Sequence, residues 1–120
     1  MIGFPDWPSA FNIPADKLTR YLLDVNGRKP DHARWFIAQG FDPAEPALLA
    51  GALYRHARQD NLTEVTEDTF GLRLVFEAPL DVSFARPTTV RSVWMCQRGD
   101  ASRAARLVTA YPVGRLLPGD

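Results

Sequence analysis

A chain of 120 residues with 46% apolar and 23% charged residues suits one soluble globular domain with its own core, and excludes a disordered or fibrous polymer. No apolar run approaches the ~18 residues of a membrane span, and the N-terminus lacks a basic stretch followed by an apolar one, so a cytoplasmic protein with no membrane partner is the default expectation, with export by a machine that reads no cleavable signal left open. Fourteen basic residues balance fourteen acidic ones, but unevenly: the stretch from Asp60 to Asp81 carries −5, and that from Arg86 to Arg115 carries +5. Either the two stretches pair across neighbouring strands, or the basic one forms a local patch for a phosphate chain.

Residues 1–13 set Pro5 and Pro8 among Phe4, Trp7 and Phe11, which predicts an extended arm whose aromatics pack on the body or on a partner. Pro14 suits the first turn of a helix, and Leu18, Tyr21, Leu22 and Val25 make one apolar stripe that stops near Asn26-Gly27. A second helix is predicted between Pro30 and Gly40, burying Ala33, Phe36 and Ile37. His32 falls in its first turn, where the helix dipole favours the neutral imidazole, a form able to act as a base. The third helix is predicted from Pro46 to about Gln59, with Leu49, Ala52, Leu53 and His56 on one stripe. His56 is then either a half-buried histidine bonded to a carbonyl or an acid/base group held between helix and sheet.

From Asn61 the apolar period changes to two. LTEVTED reads as a short strand, and FGLRLVFEAPL as a longer one with Phe70, Leu72, Leu74 and Phe76 on one face. Pro79, Arg86 and Pro87 bound a connection into a hairpin, TTVRSVWMCQ and ARLVTAYPV around Gly99-Asp100. Alternation places Val90, Ser92, Trp94 and Cys96 opposite Thr89, Arg91, Val93 and Met95. It also places Leu107, Thr109 and Tyr111 opposite Arg106, Val108 and Ala110. Three helices followed by strands give an α+β fold: N-terminal helices packed on one face of a roughly four-stranded antiparallel meander. The single domain divides into an arm (1–13), a helical part (14–60), a sheet (61–113) and a tail (114–120).

A lone cysteine, Cys96, excludes an internal disulfide and reads as mid-strand packing. No phosphate-binding glycine loop, dinucleotide fingerprint, nucleophile elbow or H-E-x-x-H is present, and His32 and His56 without cysteine support make no zinc site. Neither a metal nor a cofactor is therefore expected. What remains is two histidines, several arginines, strand hydroxyls and Tyr111, the inventory that RNA cleavage by proton transfer uses.

The strings IPADKLTRYLL, HARWFIAQGF, ALYRHA, VRSVW and RLVTAYP, in that order over residues 12–112, resemble a bacterial family of unknown function. Its members occur as stand-alone proteins and at the C-termini of large polymorphic toxins. The layout looks like the barnase/colicin/RelE-type ribonuclease fold. The resemblance implies a small metal-independent ribonuclease toxin acting on RNA, with tRNA as one candidate, and neutralised by an antitoxin or immunity protein. Two places depart from the family pattern: His32 stands where a lysine is usual, and SFARPTT replaces a Gly-Arg turn.

On this reading His56 is the base or acid, Arg91 the phosphate clamp, Thr109 a hydrogen-bond donor, and Tyr111 a proton-transfer or stacking group. His32, Arg34 and Arg106 complete the substrate contacts. The bland alternatives are that Arg91 only pairs with an acid such as Glu77, and that Tyr111 only packs at the sheet end. Two rival functions stand beside the ribonuclease. One is a non-catalytic interaction module of the same fold, which zero net charge favours. The other is an enzyme for another small substrate, using His56 with Glu64, Glu67 or Asp68.

Overall fold

A computed structural model describes residues 7–80 and 88–113. The 79–87 connection beyond Leu80, the tail 114–120 and Phe4 of the arm lie outside the described residues. Among the described residues the order is β1 (Ala10–Asn12), α1 (Ala15–Lys17) running into a π-helical turn (Leu18–Leu22), α2 (Pro30–Ala38) and α3 (Pro46–His56), then four longer strands. These are β2 (Leu62–Glu67), β3 (Gly71–Pro79), β4 (Thr89–Gln97) and β5 (Ala104–Pro112). The fold is α+β, with the helices N-terminal to the meander. None of its helices is long and apolar enough to cross a membrane.

The sheet has five strands in the order β1-β5-β4-β3-β2, one more than the periodicity predicts. The added strand is the end of the arm: Ala10–Asn12 pairs parallel with Ala104–Arg106, while every other pairing is antiparallel. Three residues between two prolines are too short for a period-two signal, and the aromatics hold them in place. Phe11 meets Trp94 edge-on at 5.2 Å between ring centroids, and Trp7 meets Phe76 at 6.0 Å.

The helical termini differ from the periodic reading for local reasons. The first helix ends at Leu22, where Leu23 N–H donates to Leu18 C=O across a π-turn. Asp24 then takes over the chain, its carboxylate accepting from Asn26 N–H at 2.8 Å. Val25 is consequently 38% exposed rather than buried. The third helix stops at His56, whose carbonyl accepts from Asn61 Nδ2 at 2.9 Å, and residues 59–61 form a 3₁₀ turn.

One face of the sheet holds the core. Leu74, Phe76, Val90, Trp94, Leu107 and Ala110 are buried there against Leu22, Phe36, Leu49 and Leu53. On β4 Val90, Ser92 and Trp94 are buried as expected, and Val93 on the opposite face is buried as well. On β5 the expected alternation breaks. Val93 pairs with Thr109 but Trp94 pairs with Leu107, so Val108 is the extra residue of a β-bulge. The bulge turns Leu107 into the core, against the expected grouping with Thr109 and Tyr111, and leaves Ala110 on Leu107's side. Phe70 also leaves its expected face. It sits in the β2–β3 turn, 73% exposed, where Asp68 Oδ1 accepts from Phe70 N–H at 2.7 Å and Gly71 N–H at 3.1 Å.

Candidate functional site

The bulge has a chemical consequence on the face opposite the core. With Val108 extruded, Arg91 pairs directly with Tyr111 on one side and Glu77 on the other, and Val93 pairs with Thr109 one rung along. Arg91, Glu77, Thr109 and Tyr111 therefore share a face, an arrangement strict alternation on β5 could not settle.

The row is tightly connected. Arg91 Nε donates to Glu77 Oε2, and its Nη1 donates to Tyr111 Oη at 3.1 Å. The same guanidinium lies 5.7 Å from the Tyr111 ring centroid. These bonds, that to Tyr111 first and that to Glu77 second, raise the Arg91 pKa further above its ordinary value, so the cation is permanent. Tyr111 Oη accepts from Arg91, which leaves its own proton to donate elsewhere.

From α2, His32 lies flat on Tyr111, with ring centroids 5.4 Å apart and planes 16° from parallel. Pro30 starts that helix and puts His32 in its first turn, as the sequence predicts. Partial burial lowers the His32 pKa from the usual 6.5; nearby Lys29 lowers it further, and Asp31 opposes. The imidazole is thus neutral at neutral pH. Beside it, Tyr21 Oη and Thr109 Oγ1 are hydrogen-bonded at 3.0 Å. The π-turn that ends the first helix carries Tyr21, whose offset in an apolar stripe reads as core; its hydroxyl was the only hint of a second role.

The remaining candidates lie apart. His56 is on the core face, 3% exposed, and its ring is clamped by the sheet. Nε2 is 2.9 Å from the carbonyl oxygens of both Ala78 and Val90, so that nitrogen carries the proton and donates. Ser92 Oγ accepts from Trp94 Nε1–H at 2.9 Å and, 2.8 Å from His56 Nδ1, donates its own proton there. Every side-chain polar atom of His56, Ser92 and Trp94 has a partner, the pattern of a structural histidine. His56 bonds Ser92, which points away from Arg91 on the same strand, so the geometry does not bring it to the row.

Arg34 is exposed and ion-paired with Asp31 at 2.8 Å. Two positions beyond His32, it is turned about 200° around the helix from that ring. Arg106 lies on the row's face but two rungs away, opposite Met95. Glu77, read from sequence only as a neutralising partner for Arg91, belongs to the row; its alternation with Val75 and Arg73 was the available signal. Glu67 pairs with Arg98 at 3.4 Å. Cys96 is half-buried, its thiol donating to Arg103 C=O at 3.3 Å, and burial raises its pKa above the usual range. Among the described residues no group of three or more His, Cys, Asp or Glu side chains is placed to hold a metal ion.

The row joins a fixed cation, a neutral imidazole, a phenol with a free proton and a carboxylate on the outer face of a sheet. That set combines a fixed cation able to bind an anion with groups able to accept and to donate a proton.

A chain of a contact-dependent growth inhibition toxin–immunity protein complex from Klebsiella pneumoniae 342 has the same fold. It superposes with a TM-score of 0.66 at 18% identity, over 84% of this chain and 98% of that one. No curated protein sequence matches. Residues 4–114 match the family described as Domain of unknown function (DUF6883), and the chain belongs to that family.

Proposed function

We propose that this chain is a small ribonuclease of a toxin–immunity or toxin–antitoxin system. The observation that carries the reading is the row Glu77–Arg91–Tyr111 with His32 stacked on its end. Support for the biological setting comes from the fold it shares with a chain of a growth-inhibition toxin–immunity complex.

The chemistry follows from the protonation states. Neutral His32 takes the proton of a ribose 2′-hydroxyl, and O2′ attacks the adjacent phosphorus. Arg91 binds the non-bridging oxygens as charge builds on the phosphorane, and the Tyr21–Thr109 hydroxyl pair supplies a further donor. Tyr111 gives its free proton to the departing 5′ oxygen. The P–O5′ bond breaks as the P–O2′ bond forms, leaving a 2′,3′-cyclic phosphate and a 5′-hydroxyl. Glu77 is a positioning residue that holds the guanidinium in plane with its target. His56 has no step in this scheme.

The test is tightly controlled expression in a bacterial host, wild type beside His32→Ala and Arg91→Ala, with total RNA resolved on a gel soon after induction. Growth arrest with discrete fragments bearing 5′-hydroxyl ends is the expected wild-type result. Losing the base removes about 10²–10⁴-fold of the rate, and losing the clamp about 10²–10³-fold. Either variant should therefore spare both cells and RNA. Intact RNA and normal growth at good soluble expression of the wild type would move the assignment to a non-catalytic interaction module.

A further inference from the structure

Along the same face, two rungs from Arg91, lies a surface cavity of about 340 Å³ that the scheme above leaves unused. Pro14, Met95 and Val108 make its apolar wall, Phe70 stands beside it 73% exposed, and Lys17 and Arg106 are its charged members. Among the described residues no carboxylate lines it.

Two of its features are unusual for a bare surface. Phe70 is held out by the turn rather than drawn into the core: Asp68 Oδ1 and Arg98 N–H bind the backbone on both sides of it. Val108, the other exposed apolar group there at 42%, is the bulge residue whose extrusion also aligns Arg91 with Tyr111. One irregularity in β5 thus shapes both places. They are also joined by contacts, since the Lys17 ammonium lies 5.0 Å from the Tyr21 ring centroid and Tyr21 bonds Thr109 beside the row.

We propose that this cavity is a subsite for single-stranded RNA, taking a nucleotide further along the strand than the two that flank the scissile phosphate. Phe70 stacks on the base, and Lys17 and Arg106 hold its phosphate. The proposal rests on the ribonuclease reading and names its substrate class. The four steps along the strand from Arg91 to Met95 span about 13 Å. Adjacent stacked bases are only about 3.4 Å apart along a strand, so the occupant is not the neighbour of the nucleotide being cleaved. An aromatic face with two cations and no acid matches a base and its phosphate, and every base offers a π-face, so the subsite selects unpaired strand rather than sequence.

The test compares cleavage of a dinucleotide, which fills only the Arg91 row, with cleavage of a single-stranded oligonucleotide of about ten residues. Phe70→Ala should lower kcat/KM on the oligonucleotide roughly 5- to 150-fold, the range of one lost base–aromatic stack, and leave the dinucleotide unchanged. Phe70→Trp should restore it. Anisotropy of a labelled oligouridine reports binding separately, and circular dichroism confirms the fold of each variant.

Cleavage of both substrates that is indifferent to Phe70 overturns the subsite and leaves the ribonuclease standing. Oligouridine binding that depends on Phe70, with no cleavage by any variant, supports the subsite while the ribonuclease fails. Equal loss on dinucleotide and oligonucleotide also overturns it, because Phe70 would then act on the row itself. Binding of an acidic protein partner that Phe70→Ala abolishes while RNA binding persists overturns it in favour of a protein interface.

Discussion

Replacing His56 by alanine separates the two histidines by their physics. His56 is 3% exposed and links α3 to two strands through Ala78 C=O, Val90 C=O and Ser92 Oγ. Alanine in its place leaves the Ser92 hydroxyl proton without an acceptor inside the core, a loss of about 1–3 kcal/mol. It also opens a cavity the size of an imidazole. Collapse at such sites is partial, and large-to-small changes there cost about 2–5 kcal/mol in all. A combined loss of about 3–5 kcal/mol is a large share of the 5–15 kcal/mol that holds a typical domain together. At roughly 4–8 °C per kcal/mol for a domain near this size, the melting midpoint should fall by more than about 10 °C. Trp94 reports the change directly, because its indole N–H belongs to the same chain of bonds and its ring is fully buried. Urea and thermal unfolding followed by tryptophan fluorescence are therefore the assays. A His56→Ala protein within about 0.5 kcal/mol of wild type would refute the network's structural role. If that stable protein had also lost RNA cleavage, His56 would return as a catalytic group and the His32 assignment would fall.

Two further outcomes follow from the geometry. In the proposed mechanism His32 is the base and must be neutral, and its pKa is lowered from 6.5, so kcat/KM should be flat near neutral pH and fall on the acid side with a midpoint below that value; an acid limb midpoint above 6.5 would remove His32 from the role. Gly71 has a φ of +145°, and a Cβ there would come within 2.1 Å of the Cys96 carbonyl oxygen and 2.8 Å of Arg98 N, both backbone atoms. Gly71→Ala should thus destabilise the domain by at least about 1–3 kcal/mol in urea titrations, and an unchanged midpoint would show that the β3–β4 edge gives way easily.

The parts of the molecule that were legible in the sequence are those set by long periodic runs. The stripe Leu49, Ala52, Leu53, His56 is buried as read, and so are Val90, Ser92 and Trp94 on β4. Each spans several repeats, so burial alone specifies the orientation. What escaped was decided by one residue at a time. The Val108 bulge reverses the facing of half of β5, and the π-turn at Leu18–Leu22 ends a helix three residues before the stripe's last member, Val25. Asp68 pulls Phe70 out of an alternating pattern by binding two backbone amides. In each case a local hydrogen bond or an inserted residue outweighs hydrophobic alternation, and neither leaves a periodic trace. The candidate site suffered most because it straddles the bulge. Arg91, Thr109 and Tyr111 were each singled out, but their common face depended on a residue between them.

The balanced charge of the chain bears on RNA binding only through where the charges end up. The acidic stretch on β2 and β3 lies next to the basic stretch on β4, and two of its members are consumed there: Glu77 by Arg91 and Glu67 by Arg98. Cross-strand pairing and a local basic patch, which the sequence offers as alternatives, are therefore compatible. Neutralisation falls at particular rungs of the sheet and leaves others positive. On the outer face the rung of Arg73, Met95 and Arg106 carries two cations with no acid among its three residues. Lys17 joins them from the first helix at the cavity beside Phe70. A potential confined to a few positions acts within about a Debye length of 8–10 Å, so for the proposed RNA substrate it would act on the part of a strand lying along this face. On the proposed reading, Glu77 need not weaken Arg91 as a phosphate clamp: by ion-pairing with its Nε it fixes the plane of the guanidinium, so that a phosphate would meet an oriented donor rather than a mobile charge.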